Sequence, residues 1–373
     1  MRKIIIATDS FKGSLSAAEA CQIIAREARL LFPGAEVLEL PIADGGEGLV
    51  AVVLQNLDGE LRTIQVPDPL GRPVWAGYAL LESGAAVIEM AAAAGLPLLS
   101  KNELDPTKTS TVGVGELILD AIKIGAEPIY VGLGGSATVD GGVGAASAVG
   151  ICFLDKWGRA VVNGGGLGSV FKVDLQKFTE LNYSGKIIFL TDVNNPLCGV
   201  EGAAAVFAPQ KGASPEQVEQ LEQGLEHLAK LITRESGLDL NNLSGIGAAG
   251  GFALPFIAFM GAELRGGIDF VLDLIEFEQK LAETDLVITG EGRTDAQSVM
   301  GKAISEVARR SQAAGVRVAV ISGALGEGAE QMLSLGVSNL VQAMPEGQAL
   351  QEAMANAAEN LASAARGYLA TLM

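Results

Sequence analysis

A glycine-rich loop directly follows a short apolar run in the stretch from residue 128 to residue 145. Residues 129–131 (Ile-Tyr-Val) are typical of a buried strand, and glycines follow at positions 132, 134, 135, 141 and 142. Glycine has no Cβ, so the backbone amides of such a loop can approach a ligand closely. Its oxygen-bearing side chains are Ser136, Thr138 and Asp140. This composition predicts a loop that binds an anion and offers a carboxylate to a metal ion.

The same order of strand and polar loop recurs near both chain ends. Residues 3–7 and 37–40 predict strands that end in polar loops, and a capping box formed by Ser16 and Glu19 predicts the helix between them. The pattern returns at Asp285, with strands predicted at 286–289, 318–322 and near 339–343. We therefore predict an α/β fold in which one parallel-sheet domain is built from both ends of the chain.

The middle of the chain has a different texture. Residues 61–66, 74–81 and 85–90 alternate apolar and polar positions between turn signals, which predicts an antiparallel or mixed sheet. Helices are expected at 110–124 and from Ser214 onward, and the glycines of 247–251 precede a further apolar helix. We predict a domain of residues 1–60 plus 285–373, a mixed α/β domain of residues 61–284 inserted into it, and a site in the cleft between them.

Composition narrows the class of protein. Hydrophobic residues make up 49% of the chain but aromatic residues only 5%, which suits a core of buried parallel strands rich in Ala, Val, Leu and Ile. The formal net charge of −18 argues against a nucleic acid partner. The apolar run at residues 4–7 is too short for a signal peptide, no run is long enough to span a membrane, and the three cysteines show no CxxC spacing. We expect a cytoplasmic protein.

Five loops that follow predicted strands carry glycine together with carboxylates, hydroxyls or a cation. Their polar residues are Lys12 in the first loop, Asp44 and Glu47 in the second, Ser136 and Asp140 in the third, Asp192 and Asn194 in the fourth, and Glu291, Arg293 and Asp295 in the last. Phosphoryl transfer needs amides and cations around phosphates, carboxylates for Mg²⁺, and a group that orients the attacking hydroxyl. The loops together supply these parts.

Several of these residues also have a purely structural interpretation. Asp9 and Asp44 are suited to capping helices, and the residues 109–111 to starting the helix that follows them. Asp192 is placed to brace a turn, and Arg293 to form an exposed ion pair. Glu89 lies in an apolar run and needs a partner that the sequence does not identify.

Other motifs point to different chemistry. Gly132, Gly134 and Ala137, with Asp155 further on, satisfy the spacing of a dinucleotide-binding fingerprint, which keeps an NAD-dependent oxidoreductase of a small hydroxy acid as an alternative. The Gly301-Lys302 pair lacks the remaining elements of a phosphate-binding Walker A loop. His227 lies at the polar border of an amphipathic helix, so we expect no histidine-based catalysis.

Taken together, the loops resemble the type-1 glycerate kinases almost from end to end. The matching stretches are Asp-Ser-Phe-Lys-Gly-Ser at 9–14, Ala-Asp-Gly-Gly-Glu-Gly at 43–48, Gly-Leu-Gly-Gly-Ser-Ala-Thr-Val-Asp-Gly-Gly at 132–142, Asp-Val-Asn-Asn-Pro-Leu at 192–197 and Thr-Gly-Glu-Gly-Arg-Thr-Asp at 289–295. The residues 109–111, with Gly113, Gly115 and Glu116, form a sixth. Six stretches in the same order are far more specific than any one of them.

The resemblance implies an ATP-dependent kinase that phosphorylates D-glycerate, usually to 2-phosphoglycerate, with ATP and Mg²⁺ as cofactors. It also implies two α/β domains, of which the discontinuous one is flavodoxin-like. Phosphorylation at the 3-hydroxyl stays open, and so does a non-catalytic small-molecule binding protein. The sequence leaves a homo-oligomer possible.

Individual roles are hypotheses within that resemblance. We expect Lys12 and Arg293 to contact the phosphates and the glycerate carboxylate, and Asp192 to orient the attacking hydroxyl. Asp140 and Asp295 are the predicted Mg²⁺ ligands. The predicted substrate- and phosphate-binding residues are Ser10, Asp44, Glu47, Gly134, Gly135, Ser136, Thr138, Asn194 and Glu291.

Overall fold

The computed structural model describes residues 1–46, 48–299 and 303–373. Its strands are β1 (Lys3–Thr8), β2 (Glu36–Glu39), β3 (Gly59–Pro67), β4 (Pro73–Leu81), β5 (Ala86–Glu89), β6 (Ile129–Gly132), β7 (Cys152–Asp155), β8 (Val170–Asp174), β9 (Ile187–Leu190), β10 (Glu263–Arg265), β11 (Leu286–Gly290), β12 (Arg293–Thr294), β13 (Arg317–Ser322), β14 (Ala324–Leu325) and β15 (Val337–Gln342). Its α-helices are α1 (Ala17–Leu31), α2 (Leu49–Asn56), α3 (Ala91–Ala94), α4 (Val112–Lys123), α5 (Val143–Ala148), α6 (Gln176–Leu181), α7 (Ala203–Phe207), α8 (Pro215–Ser236), α9 (Leu254–Met260), α10 (Gly267–Leu274), α11 (Phe277–Leu281), α12 (Ala303–Ala313), α13 (Leu350–Ala355) and α14 (Ala357–Ala370). Short 3₁₀ segments lie at Leu96–Leu98, Lys101–Glu103, Gly164–Ser169, Pro209–Lys211, Ala248–Gly250, Ala296–Val299 and Ala329–Leu335.

The chain divides into two compact units. Unit 1 contains Met1–Asp44, Ala51–Leu57 and Gly267–Met373, and unit 2 contains Gly45–Val50 and Asp58–Gly266. The helices α10 and α11, which the sequence analysis did not predict, fall in unit 1. The domain boundaries expected from the sequence, 1–60 plus 285–373 and 61–284, remain a prediction.

A five-stranded parallel sheet forms the centre of unit 1. Its strand order is β15-β13-β11-β1-β2, and every neighbouring pair runs in the same direction. This confirms the predicted parallel sheet made from both chain ends. The order corresponds to the flavodoxin-like order 2-1-3-4-5, in which the strand order reverses between β1 and β11. Ligands bind at such a switch point, beyond the carboxyl ends of the strands.

Two helices, α1 and α14, pack against one face of this sheet through apolar residues. Ile4 and Ile6 of β1 and Ile288 of β11 are fully buried against residues of α1 and α14. Helix α1 begins with the predicted capping box: Ser16 Oγ accepts a hydrogen bond from the Glu19 amide, and Glu19 Oε2 accepts one from the Ser16 amide. Ser16 rather than Asp9 therefore caps α1, and the capping interpretation of Asp9 is wrong.

Unit 2 contains the predicted mixed sheet. Its six strands have the order β10-β9-β6-β5-β4-β3. The pairs β3–β4 and β4–β5 are antiparallel, whereas β5, β6, β9 and β10 run parallel to one another. The carboxyl ends of β6 and β9 therefore lie side by side, with Gly132 paired to Leu190. The two loops that follow these strands begin at the same edge of the sheet.

The longest helix of unit 2 confirms its sequence signals. Ser214 caps α8 with a reciprocal bond to Gln217, Pro215 occupies the first turn, and the helix ends at Gly237 with a φ of 78°. Its residues Leu221, Leu225, Leu228 and Ile232 are buried on one face, as their spacing predicts. No helix within the described ranges is long and apolar enough to cross a membrane.

Candidate active site

Unit 1 contains a cavity of about 430 Å³ beyond the carboxyl ends of its parallel strands. The cavity is lined by residues that follow β1, β2, β11, β13 and β15, together with residues of α13 and α14. The lining residues are Asp9, Ser10, Phe11, Lys12, Ser14, Asp44, Glu291, Gly292, Arg293, Asp295, Gly323, Ala324, Ala343, Met344, Leu350, Ala353, Met354, Ala357 and Asn360. The cavity thus lies at the switch point between β1 and β11.

The structure brings six of the predicted site residues together around this cavity. Lys12, Arg293, Ser10, Asp44, Glu291 and Asp295 all line it, and Asp9 of the first matching stretch joins them. They come from opposite ends of the chain, and the parallel pairing of β1 with β11 places their loops next to each other. Their roles in binding or catalysis remain predictions.

Hydrogen bonds orient two of the carboxylates that line the cavity, those of Asp9 and Glu291. Asp9 Oδ1 accepts a bond of 2.6 Å from the Ser10 amide. Glu291 Oε1 accepts bonds from Ser298 Oγ at 2.5 Å and from Thr294 Oγ1 at 3.3 Å. These short-range bonds orient the two carboxylates before any ligand is present.

The charged residues that line the cavity carry more negative than positive charge. Burial raises the pKa of Asp9 to about 7, with Asp44 and Glu291 adding to the rise while the Ser10 amide and Lys12 oppose it. Carboxylates therefore crowd each other here, and Lys12 and Arg293 are the cations among the lining residues. A phosphate chain bound beside these carboxylates needs a further positive charge, because phosphates and carboxylates repel each other.

Arg293 forms the exposed ion pair that the sequence suggested and also lines the cavity. Its Nε lies 3.3 Å from Asp295 Oδ2, and its side chain is 66% exposed, so it does form a surface ion pair. It also lines the cavity. An exposed pair of this kind contributes little to stability, so the guanidinium is available to a bound anion at low cost.

The cavity also has apolar lining residues, which sequence analysis missed. Met344, Leu350, Ala353, Met354 and Ala357 supply this wall. Asn360 lies beside it and donates a hydrogen bond of 2.9 Å to Gln348 Oε1. The sequence predicted a C-terminal helix but contained no local signal that its amino-terminal turns face a ligand cavity.

The glycine-rich loop after β6 lies in unit 2 and packs closely on a second glycine loop. A Cβ added to Gly132 would lie 2.4 Å from the Gly45 carbonyl oxygen, and one added to Gly134 would lie 2.4 Å from the Gly46 Cα. Only glycine fits at these positions, because any side chain would overlap the facing backbone. Close approach between two backbones thus explains part of the glycine content that was interpreted as ligand binding.

Ser136 and Thr138 of this loop are buried next to a lysine that the sequence analysis did not single out. Lys211 is 2% exposed, and its Nζ donates hydrogen bonds to Ser136 Oγ at 2.7 Å and to the Thr138 carbonyl at 2.8 Å. Burial lowers the pKa of Lys211 to about 7, although the nearby Asp140 favours the charged form. Thr138 Oγ1 is buried and makes no hydrogen bond to any residue in the described ranges.

Asp140 is fully buried and holds the loop to the start of α4. Its Oδ2 accepts bonds from the Thr111 amide at 2.9 Å and from Thr111 Oγ1 at 2.7 Å, and its Oδ1 accepts one from the Gly142 amide at 3.1 Å. Burial raises the pKa of Asp140, and these bonds lower it in part. These bonds give the Asp140 carboxylate a structural role in holding the loop, and its predicted role as a magnesium ligand remains a prediction.

The loop after β9 contains Asp192 and Asn194. Asp192 is half-buried, and the exposed Asn194 accepts a bond of 3.0 Å from Ser244 Oγ. The Leu133 amide donates to the Leu190 carbonyl at 3.0 Å, so this loop and the glycine-rich loop begin together. The orienting role of Asp192 stays a prediction. Glu47, another predicted binding residue, lies outside the described residues, as do Gly301 and Lys302.

Three further interpretations of the sequence can now be compared with the structure. Glu89 has a partner, because its Oε1 accepts a bond of 2.6 Å from the Val50 amide. Asp155 accepts bonds from Trp157 and Arg159 within a tight turn, and the stretch after Gly132 does not open directly into a helix, since α5 begins at Val143. The dinucleotide-binding fingerprint is therefore wrong. His227 is exposed, with Nε2 2.6 Å from the Val170 carbonyl oxygen.

Magnesium fits this chain only in part. Among the described residues, no three His, Cys, Asp or Glu side chains form a group able to hold a metal ion. Mg²⁺ commonly binds through one or two carboxylates, with substrate phosphates and water completing its coordination. Asp295, half-buried at the cavity and close to Arg293, suits that kind of site and remains the predicted ligand.

Comparison with known proteins identifies relatives along the full chain. Residues 4–373 match the model of the glycerate kinase family. A glycerate kinase from Halalkalibacterium halodurans is 41% identical over 98% of this chain and 97% of its own, and a glycerate 2-kinase from Escherichia coli K12 is 39% identical over 99% and 98%. A crystal structure described as glycerate kinase 2 from Salmonella typhimurium LT2 superposes with a TM-score of 0.87 at 41% identity, covering 100% of this chain and 98% of the other.

Proposed function

Because the chain belongs to the glycerate kinase family, we propose that it transfers the γ-phosphoryl group of ATP to the 2-hydroxyl of D-glycerate. The observation that carries the proposal is the unit 1 cavity, where Lys12, Arg293 and carboxylates from both chain ends meet at the switch point of a parallel sheet. The glycerate 2-kinase from Escherichia coli supports 2-phosphoglycerate as the product. Transfer to the 3-hydroxyl is the alternative.

The size and polarity of the cavity favour a nucleotide in unit 1. Pockets for ligands of drug size measure roughly 300–1,000 Å³. The cavity of about 430 Å³ falls within that range, and a three-carbon acid alone would leave most of it empty. We place the base of ATP against the apolar lining residues Met344, Leu350 and Met354, and the phosphates beside Lys12 and Arg293.

The residues of this chain would perform four tasks. Lys12 and Arg293 bind the phosphates and the glycerate carboxylate, since an otherwise acidic protein needs concentrated cations for two anionic substrates. Asp295 holds Mg²⁺, which when bound offsets negative charge on the phosphate oxygens. Asp192 orients the attacking hydroxyl, and Ser136 with the amides of Gly134 and Gly135 binds an oxyanion. A reaction in the cleft between the two predicted domains, and a cytoplasmic location with ready access to ATP, are further parts of the proposal.

A coupled assay of ADP release tests the function directly. The protein is incubated with Mg-ATP and D-glycerate, with L-glycerate as the matched control, and ³¹P NMR identifies the product. We expect ADP release with D-glycerate and a phosphomonoester signal on carbon 2. A signal on carbon 3 would overturn the regiochemistry alone, and an absence of ADP release would overturn the proposed reaction.

A further inference from the structure

Lys211 is a fully buried lysine that touches the glycine-rich loop from beneath. It lies at the end of the Pro209–Lys211 segment, 75 residues away in sequence from Ser136, and its side chain is 2% exposed. Burying an ammonium group is costly unless hydrogen bonds replace its hydration. Because Lys211 directs its hydrogen bonds to the glycine-rich loop, we infer that it contributes to the function of that loop.

The chemistry of the ammonium group determines the direction of the hydrogen bond to Ser136. A charged lysine has three donors and no acceptor, so the Ser136 oxygen must accept across the 2.7 Å that separates it from Nζ. The hydroxyl hydrogen of Ser136 then points away from Lys211. The lysine therefore restricts the directions in which the Ser136 hydroxyl can donate.

The backbone next to Ser136 offers further donors. Within the described ranges, nothing accepts a hydrogen bond from the amides of Gly134, Gly135 or Ser136. The residues on either side are tied down: the Ala137 amide donates to the Ala94 carbonyl at 2.8 Å, and the Gly135 carbonyl accepts from the Leu96 amide at 2.9 Å. Successive amides without a protein acceptor, in a loop held on both sides, can form a binding site for anions.

Charge near the loop supports the same interpretation. Asp140 is the ionisable group that acts on Lys211, and it favours the charged ammonium against the effect of burial. Below pH 7, where Lys211 is charged, its ammonium group places a positive charge 2.7 Å from Ser136 Oγ. An oxyanion bound there meets hydrogen-bond donors backed by a cation rather than the acidic field of the protein as a whole.

We propose that Lys211 is a positioning residue that holds the Ser136 hydroxyl as a donor to an oxyanion bound by the amides of residues 134–136. The identity of the oxyanion rests on the proposed function: it is the carboxylate of D-glycerate or a phosphoryl group of ATP. Both present the same oxygen chemistry to the loop, and separate kinetic constants for the two substrates distinguish them.

The test compares wild type with Ser136→Ala, Lys211→Met and the double variant, with Lys230→Met as the control. Lys230 is a lysine of the same unit whose side chain is 76% exposed. We expect each single variant to raise the KM of one substrate about tenfold or more, which is the value of one hydrogen bond to a charged group. The KM of the double variant should be no higher than that of either single variant, because Lys211 acts through Ser136. Lys230→Met should leave both KM values unchanged.

Each outcome of this test has a distinct meaning. A rise in KM for D-glycerate alone assigns the carboxylate, and a rise for ATP alone assigns the phosphoryl group. Unchanged KM values, or effects of the two substitutions that multiply in the double variant, would overturn the proposal, because a lysine that only supports the fold need not act through Ser136.

Two further measurements cover the cases in which the first test fails. If Lys211→Met does not fold, the pH profile of wild type is compared with that of Ser136→Ala and the conservative Ser136→Thr. We expect KM to rise above pH 7 in wild type and Ser136→Thr only, and identical profiles would overturn the proposal.

If wild type shows no turnover, calorimetry with D-glycerate and with inorganic phosphate replaces KM. Weaker binding by Ser136→Ala would then support the proposal although the proposed reaction has failed, and equal binding would overturn it.

Discussion

The Thr111 hydroxyl donates a hydrogen bond of 2.7 Å to the Asp140 carboxylate, and both side chains are fully buried. Thr111 also accepts a bond of 2.9 Å from the Ala145 amide. This small network joins the start of α4, the glycine-rich loop and the start of α5. It gives Asp140 a structural role that its position in a matching motif did not reveal.

Asp140→Ala should destabilise the protein strongly. The substitution removes the acceptor of the Thr111 amide, the Thr111 hydroxyl and the Gly142 amide. Each buried donor left without a partner costs about 1–3 kcal/mol, so the loss of one acceptor for three donors should lower the free energy of unfolding by about 3 kcal/mol or more. Urea denaturation followed by circular dichroism measures the change, with the exposed Glu60→Ala as control. Wild-type stability together with a lost Mg²⁺ dependence would contradict the structural role and support the predicted metal-binding role.

Asp9→Asn should stabilise the protein at alkaline pH. Burial raises the pKa of Asp9 from 3.8 to about 7, so the folded state binds a proton that the unfolded state has released between these values. Wild type therefore loses stability as pH rises from about 4 to about 7. Asn stays neutral, so the variant should match wild type near pH 4 and exceed it at pH 8 by about 1–3 kcal/mol, less than full linkage because the cavity is open to water.

Denaturation of both proteins at pH 4, 6 and 8 checks this dependence. The difference between variant and wild type should grow through this window and then level off. A constant difference would show that Asp9 titrates alike in the folded and unfolded states.

Asp192→Asn should reduce turnover without changing the fold. Asn keeps the size of the side chain but cannot accept the proton or the hydrogen bond of the attacking hydroxyl in the same way. Loss of such a group typically costs about 10²–10⁴ in rate. Steady-state kcat and the melting temperature measure the two effects, with the exposed Asp239→Asn as the matched control. A decrease of less than tenfold would remove Asp192 from the orienting role.

Met354→Trp should weaken ATP binding selectively. Met354 is one of the apolar residues that line the unit 1 cavity, and a larger ring would occupy the space that we assign to the nucleotide base. We expect the KM for ATP to rise about tenfold or more, the equivalent of about 1.4 kcal/mol, with the KM for D-glycerate nearly unchanged. Leu333→Trp, at a 50% exposed leucine, provides the control. Equal increases for both substrates would argue that D-glycerate shares this end of the cavity.

The sequence predicted features that depend on neighbouring residues. The capping box at Ser16 and the Ser214-Pro215 pair begin their helices where expected, because these signals lie within one turn of the helix start. The apolar runs at 286–289 and 318–322 became buried strands. The parallel sheet from both chain ends followed from the recurrence of one local pattern.

Some features escaped sequence analysis because they arise from packing between distant segments. Lys211 stands in a Pro-Gln-Lys-Gly stretch that looks like any exposed turn, and only the fold buries it beneath Ser136. The cavity wall formed by Leu350, Ala353 and Met354 has the same origin. Burial of one side chain depends on what the rest of the chain places around it.

The sequence by itself therefore determined the fold class, the strand-and-loop order and the family of this protein, since periodicity, turn residues and motif order are written in consecutive residues. Only the tertiary structure decided that Asp9 and Glu291 line one cavity, that Asp140 is enclosed by Thr111, and that Lys211 supports Ser136. The physical reason is that exposure, pKa and hydrogen-bond direction are set by the surroundings of a side chain, and those surroundings come from residues far apart in the chain.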